Sequence, residues 1–177
     1  MNKSQALWTL PIVLMVSQAA SAAPELVACD LLDEATASAL VGVKLKGYIS
    51  RSTQVMDGVK ISNCMFRSDR QSVRVSLAEY ASSAEAGKSF GVARKETAQA
   101  RIVDNVKIQF TVEDESGIGE KAFWYRLASE QYGITTVKGN RALTVSFHFA
   151  DATTGTRTIP DLRGRSRAPL QAALRRL

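Results

Sequence analysis

Ser72-Val73-Arg74-Val75-Ser76-Leu77-Ala78-Glu79-Tyr80 is the stretch whose reading decides the fold. Val73, Val75 and Leu77 alternate with Arg74 and Ser76. That period of two marks an antiparallel strand with one face buried and one face wet. A helical pattern follows at once. Over Ser82–Arg101, Phe90, Ala93, Thr97 and Ala100 share a face, and Lys88, Arg94 and Lys95 fall on the solvent side. Ser82 or Ser83 can cap this helix, and Glu85 is the capping-box partner of Ser82. Gly87 and Gly91 weaken it intrinsically, so tertiary packing must hold it.

Working outward toward the N-terminus, Val59–Arg67 reads as a strand carrying Cys64 and Phe66, and Leu45–Thr53 as another. Met56-Asp57-Gly58 turns between them, and Ser68–Gln71 is a polar turn. Cys29–Gly42 reads as a first helix. Asp30 is its expected N-cap, with Asp33 and Glu34 in the first turn; Leu31, Leu32, Ala35, Ala39 and Leu40 form its stripe, and Gly42 its stop.

Toward the C-terminus, Val106–Glu113 alternates strictly and predicts a strand. Gly117-Ile118-Gly119 is a tight loop into a strand over Ala122–Arg126. Tyr132–Lys138, Gly139-Asn140 and Ala142–Phe149 read as a hairpin. The order of one helix and three strands occurs twice, without a residue-level repeat. Thr153–Arg167 is polar and irregular, and Pro169–Leu177 closes as a short helix with Leu170, Ala173, Leu174 and Leu177 on one face. The expectation is one α+β domain over residues 23–155, an antiparallel sheet covered by helices. A basic segment with a short helix, 156–177, follows it.

The first 22 residues read as a secretory signal peptide. Lys3 precedes an apolar stretch from Ala6 to Val16, and Ala20-Ser21-Ala22 is an A-x-A cleavage site. No other apolar run approaches the roughly 20 residues a membrane-spanning helix needs. The chain is therefore expected in a periplasm or secreted. In that oxidising setting the two cysteines, Cys29 and Cys64, are expected to pair. A redox pair would more naturally be C-x-x-C, and two thiols with one histidine do not complete a zinc shell. A competing reading is a lipobox, Leu26-Val27-Ala28-Cys29, which would anchor the chain by a lipid on Cys29. Pro24 and Glu25 interrupt the apolar run just before it, and lipidation would leave Cys64 without a partner.

Candidate chemistry is sparse. His148, the single histidine, falls on the face opposite Val145, Phe147 and Phe149, without a G-x-S-x-G elbow or an S-x-x-K set. A hydrolase built on it is the least favoured reading. Glu113-Asp114-Glu115 offers oxygen ligands but lacks a spaced calcium loop, and reads as a solvated turn. Gly117–Ala122 matches no phosphate-loop pattern. No metal or cofactor is expected.

Phe123, Trp124 and Tyr125 are adjacent, so a strand sends them to alternate faces; Trp124 and Tyr125 are the candidate lining of a small-ligand groove. With a net charge of +6, the strongest partner signal is Arg157, Arg163, Arg165, Arg167, Arg175 and Arg176, opposed only by Asp161. Arg163, Arg165, Arg167, Arg175 and Arg176 are candidate contacts to an anionic surface or an acidic protein. The alternative is a solvated tail whose last arginines suit a helix C-terminus. Nucleic acid is not expected, because no aromatic platform interleaves the arginines.

Several short motifs together carry a family resemblance. Ala28-Cys29-Asp30-Leu31-Leu32 leads to Gly42. Asn63-Cys64-Met65-Phe66, Gly117-Ile118-Gly119-Glu120-Lys121-Ala122 and the Gly139-Asn140 hairpin follow. This pattern resembles exported or lipid-anchored bacterial domains that begin CDLL…G, place a second cysteine in C-x-Y/F and contain a G-L-G-D-x-A turn. Several of these resemble the PsbP-like α/β sandwich. The resemblance spans Cys29 to Phe149, with Ile118, Glu120 and Lys121 departing from the usual turn. It implies a Cys29–Cys64 disulfide and a non-enzymatic envelope role. The leading expectation is thus a non-catalytic binding or interaction module whose partner is an envelope protein or anionic surface. The alternative is a small-ligand carrier.

Overall fold

A computed structural model describes residues 25–103, 105–127, 131–149 and 159–177; the leader over 1–22 lies outside them. Seven antiparallel strands form the main sheet. A first meander holds β1 (Lys46–Met56), β2 (Val59–Arg67) and β3 (Gln71–Glu79). A second holds β6 (Thr111–Glu115), β7 (Lys121–Leu127), β8 (Gln131–Lys138) and β9 (Arg141–Phe149). The order is β1-β2-β3-β9-β8-β7-β6, so β3 and β9 join the meanders at the centre. Their register runs from Gln71 opposite Phe149 to Glu79 opposite Arg141. Two further strands, β4 (Arg101–Val103) and β5 (Val106–Ile108), form a separate hairpin.

One face of the sheet is sealed. Phe66, Val73, Val75, Leu143, Val145, Phe147, Ile134 and Trp124 point into the larger core. It is covered by α1 (Ala28–Leu31), α2 (Glu34–Val41) and α4 (Ile159–Arg176). Cys29 on α1 is bonded to Cys64 on β2, with Cα atoms 5.1 Å apart, and the Ala28 N–H donates to Ser62 Oγ at 2.8 Å beside it. The bridge therefore staples the first helix to this face. The same bond takes up the sulfur that a lipid thioether on Cys29 would need.

Among the described helices, α3 (Ser83–Ala98) covers the other face. Ser82 caps it by accepting the Glu85 N–H at 3.2 Å, as the capping pattern predicts. Ala86 and Phe90 press on Phe123 and Val137.

Five expectations need correction. The first helix is two short ones, because Leu32 is extended and Asp33, not Asp30, caps α2 by accepting the Thr36 N–H at 2.7 Å. Hydrogen bonding from the Thr36 side chain, with this backbone bond beside it, holds the Asp33 carboxyl below the usual aspartate value. Gly42 does end α2, in the left-handed region at φ 70°. The long helix stops at Ala98, and Arg101–Val103 forms a strand with β5, so the alternation over Val106–Glu113 spans two strands in different sheets. The C-terminal segment is no appendage: α4 runs unbroken through Pro169 and buries Leu162, Leu170, Ala173 and Leu174 in the core. Lys138 Nζ donates to the Leu174 carbonyl at 2.7 Å, which places a cation at the helix C-terminus.

Candidate functional site: the open polar face of the sheet

Strand alternation assigns the side chains on the α3 side of the sheet. β2 contributes Asn63, Met65 and Arg67; β3, Ser72, Arg74 and Ser76; β9, Thr144, Ser146 and His148; β8, Gln131, Gly133 and Thr135; β7, Tyr125. Directly opposed residues form rows across the strands. One row is Met65, Arg74, Ser146, Gly133 and Tyr125; the next is Arg67, Ser72, His148 and Gln131. α3 packs over the end marked by Phe90 and Phe123, whose ring centroids are 5.2 Å apart. Beyond it Arg74, Arg67 and His148 are exposed. The larger core lies on the other side of these strands, and on this side the residues beyond α3 are polar.

Tyr125 is built into this face. Its hydroxyl lies 2.7 Å from Ser146 Oγ, across β8. The path is open only because residue 133 is glycine: a Cβ there would lie 2.2 Å from Tyr125 Cζ and 2.3 Å from its hydroxyl. Phe110 packs edge-on against the ring at 5.7 Å, and Phe123 lies at 6.2 Å. Burial pushes the phenol above its ordinary value, against smaller opposing effects of the Ser146 hydrogen bond and the Arg74 charge. Tyr125 is therefore a neutral hydroxyl at physiological pH, and the Arg74 guanidinium acts on it. Neighbouring polar groups are mutually ordered: Ser76 Oγ donates to Asn63 Oδ1 at 2.6 Å, and the Thr135 and Thr144 hydroxyls are 3.1 Å apart.

The structure separates the residues that the sequence grouped. Trp124 and Tyr125 do not line one groove, because adjacent strand residues face opposite ways. Trp124 is 5% exposed in the core under α4, with the Arg163 guanidinium 5.7 Å from its ring centroid. Tyr125 alone reaches the open face. His148 lies there too, directly across from Ser72, with no hydrogen bond between the two and no carboxylate orienting it among the described residues.

The C-terminal arginines are largely engaged within the molecule. Arg163 Nη1 lies 2.7 Å from Glu113, Arg167 Nη1 lies 2.9 Å from Glu115, and Arg165 lies 2.8 Å from Asp161. Arg176 donates to the Asp30 carbonyl, while Arg175 is exposed. Arg157 lies outside the described residues. The acidic trio is strand β6 and not a turn. Its alternation sends Glu113 and Glu115 toward α4 and Asp114 to Arg94 on α3, whose guanidinium holds the Asp114 carboxyl below its usual value.

The loop between β6 and β7 is a structural joint. Ile118 is buried, its carbonyl accepts from Thr136 Oγ1 at 3.1 Å, and Gly119 is left-handed at φ 63°. Gln171 and Arg167 of α4 donate to the Gly117 and Ser116 carbonyls. A shallow depression along α2, bordered by Ala35, Ala39 and Val43, touches none of these groups.

No protein-family model matches the chain, and no curated protein matches it. Among solved structures it is similar to the extracellular domain of PknH from Mycobacterium tuberculosis. The TM-score is 0.53 at 10% identity, over 84% of this chain and 94% of that one. At that identity the likeness is one of fold: an α+β domain on an antiparallel sheet. No helix among the described residues is long and apolar enough to cross a membrane.

Proposed function

We propose that this chain is an exported, disulfide-bonded, non-catalytic binding module that takes its ligand on the open polar face of its sheet. One observation carries the reading. Three helices seal one face, while among the described residues no helix covers the part of the other face beyond α3, which is lined with preorganised polar groups, with Tyr125 laid across Gly133 to reach Ser146. Export is supported by the leader pattern over 1–22, by the Cys29–Cys64 bridge and by the extracellular setting of the PknH domain. The likeness to PsbP-like sandwiches belongs to the same proposal, supported by a helix-flanked antiparallel sheet with the bridge in place.

The test is a thermal-stability screen of the oxidised mature chain against soluble metabolites and saccharides. It is run in parallel on Ser146→Trp, which fills the centre of the face. A ligand at one hundred times its Kd stabilises by about 2.7 kcal/mol, a readable shift. The reading expects compounds that stabilise the wild type and not the blocked variant. Compounds that stabilise both equally would place binding elsewhere and overturn it.

A further inference from the structure

We infer that the open face binds a small water-soluble molecule bearing carboxylate or phosphate groups, anchored by Arg74. The inference rests on that face being the binding surface and names the chemistry of its ligand.

Charge distribution carries it. Elsewhere on the molecule four arginines meet acids, Arg94 with Asp114, Arg141 with Glu79, Arg163 with Glu113 and Arg167 with Glu115, while Arg126 and Arg175 stand singly among the described residues. On the open face the pattern reverses. Lys46 on β1 stands opposite Arg67 on β2, Arg67 opposite Ser72, and Arg74 lies two residues further along β3. All three cations are exposed, and none has a hydrogen bond or ion pair with the described residues. The only carboxylate that the described strands direct to this side is Asp114, already committed to Arg94 beside α3. Three cations clustered on one face, without an ion pair among the described residues, lower the cost of bringing an anion there.

Placement sets the ligand's character. Directly opposed residues in a sheet have Cβ atoms about 5 Å apart, and diagonal neighbours about 7–8 Å. Arg74 and Arg67 are diagonal neighbours, a spacing that suits a ligand with two acidic groups. Arg74 presents a planar fork that matches a carboxylate or phosphate edge. It is flanked by Ser146 and faces the neutral Tyr125 hydroxyl, and Ser72 and Gln131 lie in the adjoining row. Such polar neighbours suit a soluble ligand over an acyl chain. The contacts are solvent-exposed, so affinity falls as salt rises.

The test is calorimetric titration of the oxidised mature chain with citrate and with pyrophosphate at low ionic strength. Wild type, Arg74→Gln and Arg175→Gln are compared. Arg175 is an exposed cation on α4, beyond the sealed face, and controls for bulk charge. Saturable binding should weaken about tenfold or more in Arg74→Gln, the scale of a lost charge-assisted contact, and stay unchanged in Arg175→Gln. The stronger of the two anions identifies the acidic group. Unfolding midpoints matching wild type exclude a folding defect at this exposed position.

Equal weakening in both variants, or no heat from either anion, overturns the inference. If neutral compounds bind and Ser146→Trp blocks them while both anions stay silent, the anionic chemistry fails and the binding face survives. If Ser146→Trp blocks nothing, the face itself fails.

Discussion

Gly133→Ala is the most informative single substitution, because the structure fixes its mechanism. The added Cβ would lie 2.2 Å from Tyr125 Cζ, so the ring must leave its place across β8. Three interactions go with it: the 2.7 Å hydrogen bond to Ser146 and the contacts with Phe110 and Phe123. A hydrogen bond contributes about 1 kcal/mol and each aromatic contact about 0.5–1.5 kcal/mol. Alanine in place of glycine in a strand returns about 0.5–1 kcal/mol. The balance is a loss of about 2 kcal/mol, or about 4–8 °C in Tm for a chain of this size. Urea unfolding of the oxidised protein measures it. The decisive comparison is the same substitution in a Tyr125→Ala background. With the ring gone nothing opposes the new methyl, and Gly133→Ala should be neutral or stabilising by about 0.5–1 kcal/mol. A loss as large in the Tyr125→Ala background as in the wild type would refute the reasoning.

Other outcomes follow from the same contacts. Leu170→Ala, at 2% exposure where α4 meets the core, should cost about 2–4 kcal/mol in the same urea assay, whereas an appended tail would cost nothing. Reduction, or Cys64→Ala, removes a crosslink spanning 35 positions and should cost roughly 3–4 kcal/mol, read as a drop in thermal midpoint. Asp33→Ala removes the α2 cap and should cost about 1 kcal/mol at neutral pH. Because the folded carboxyl titrates below its unfolded value, its contribution is complete above about pH 4 and is lost as pH falls through the lowered folded value. The gap between Asp33→Ala and wild type should therefore narrow in acid; a gap that widens there would contradict the cap.

Local pattern carried much of the sheet. Val73, Val75 and Leu77 were readable as the buried face of a strand because alternation is a local property, and the Gly139-Asn140 hairpin follows from turn chemistry. Ser82 was readable as a cap for the same reason. What escaped depends on partners distant in the chain. The stripe Leu162, Ser166, Leu170, Ala173 of α4 is helical in spacing. Ser166, Gly164 and Pro169 disguise it, and only the core it covers explains why the helix persists. The arginines 163 and 167 read as a free basic patch until β6 brings Glu113 and Glu115 beneath them.

Strand alternation sends Trp124 and Tyr125 to opposite faces, which rules out their joint assignment to one groove, and which face stays open depends on where α3 ends over the sheet. The open site was legible only in fragments. Arg74 and His148 each read as a wet position, and the β3–β9 register between Gln71 and Phe149 places Ser146 directly across from Arg74. Nothing in the sequence around Gly133 marks it as the crossing point for Tyr125.

The most direct test of the binding face is the map of backbone amide shifts when a stabilising compound from the screen is added to the isotopically labelled, oxidised chain. The largest shifts should cluster at Asn63–Arg74 on β2 and β3, Gln131–Thr135 on β8 and Thr144–His148 on β9, with Tyr125 among them. Shifts concentrated on α2 or α4 instead, with these strands unmoved, would contradict the assignment of the open face as the binding surface.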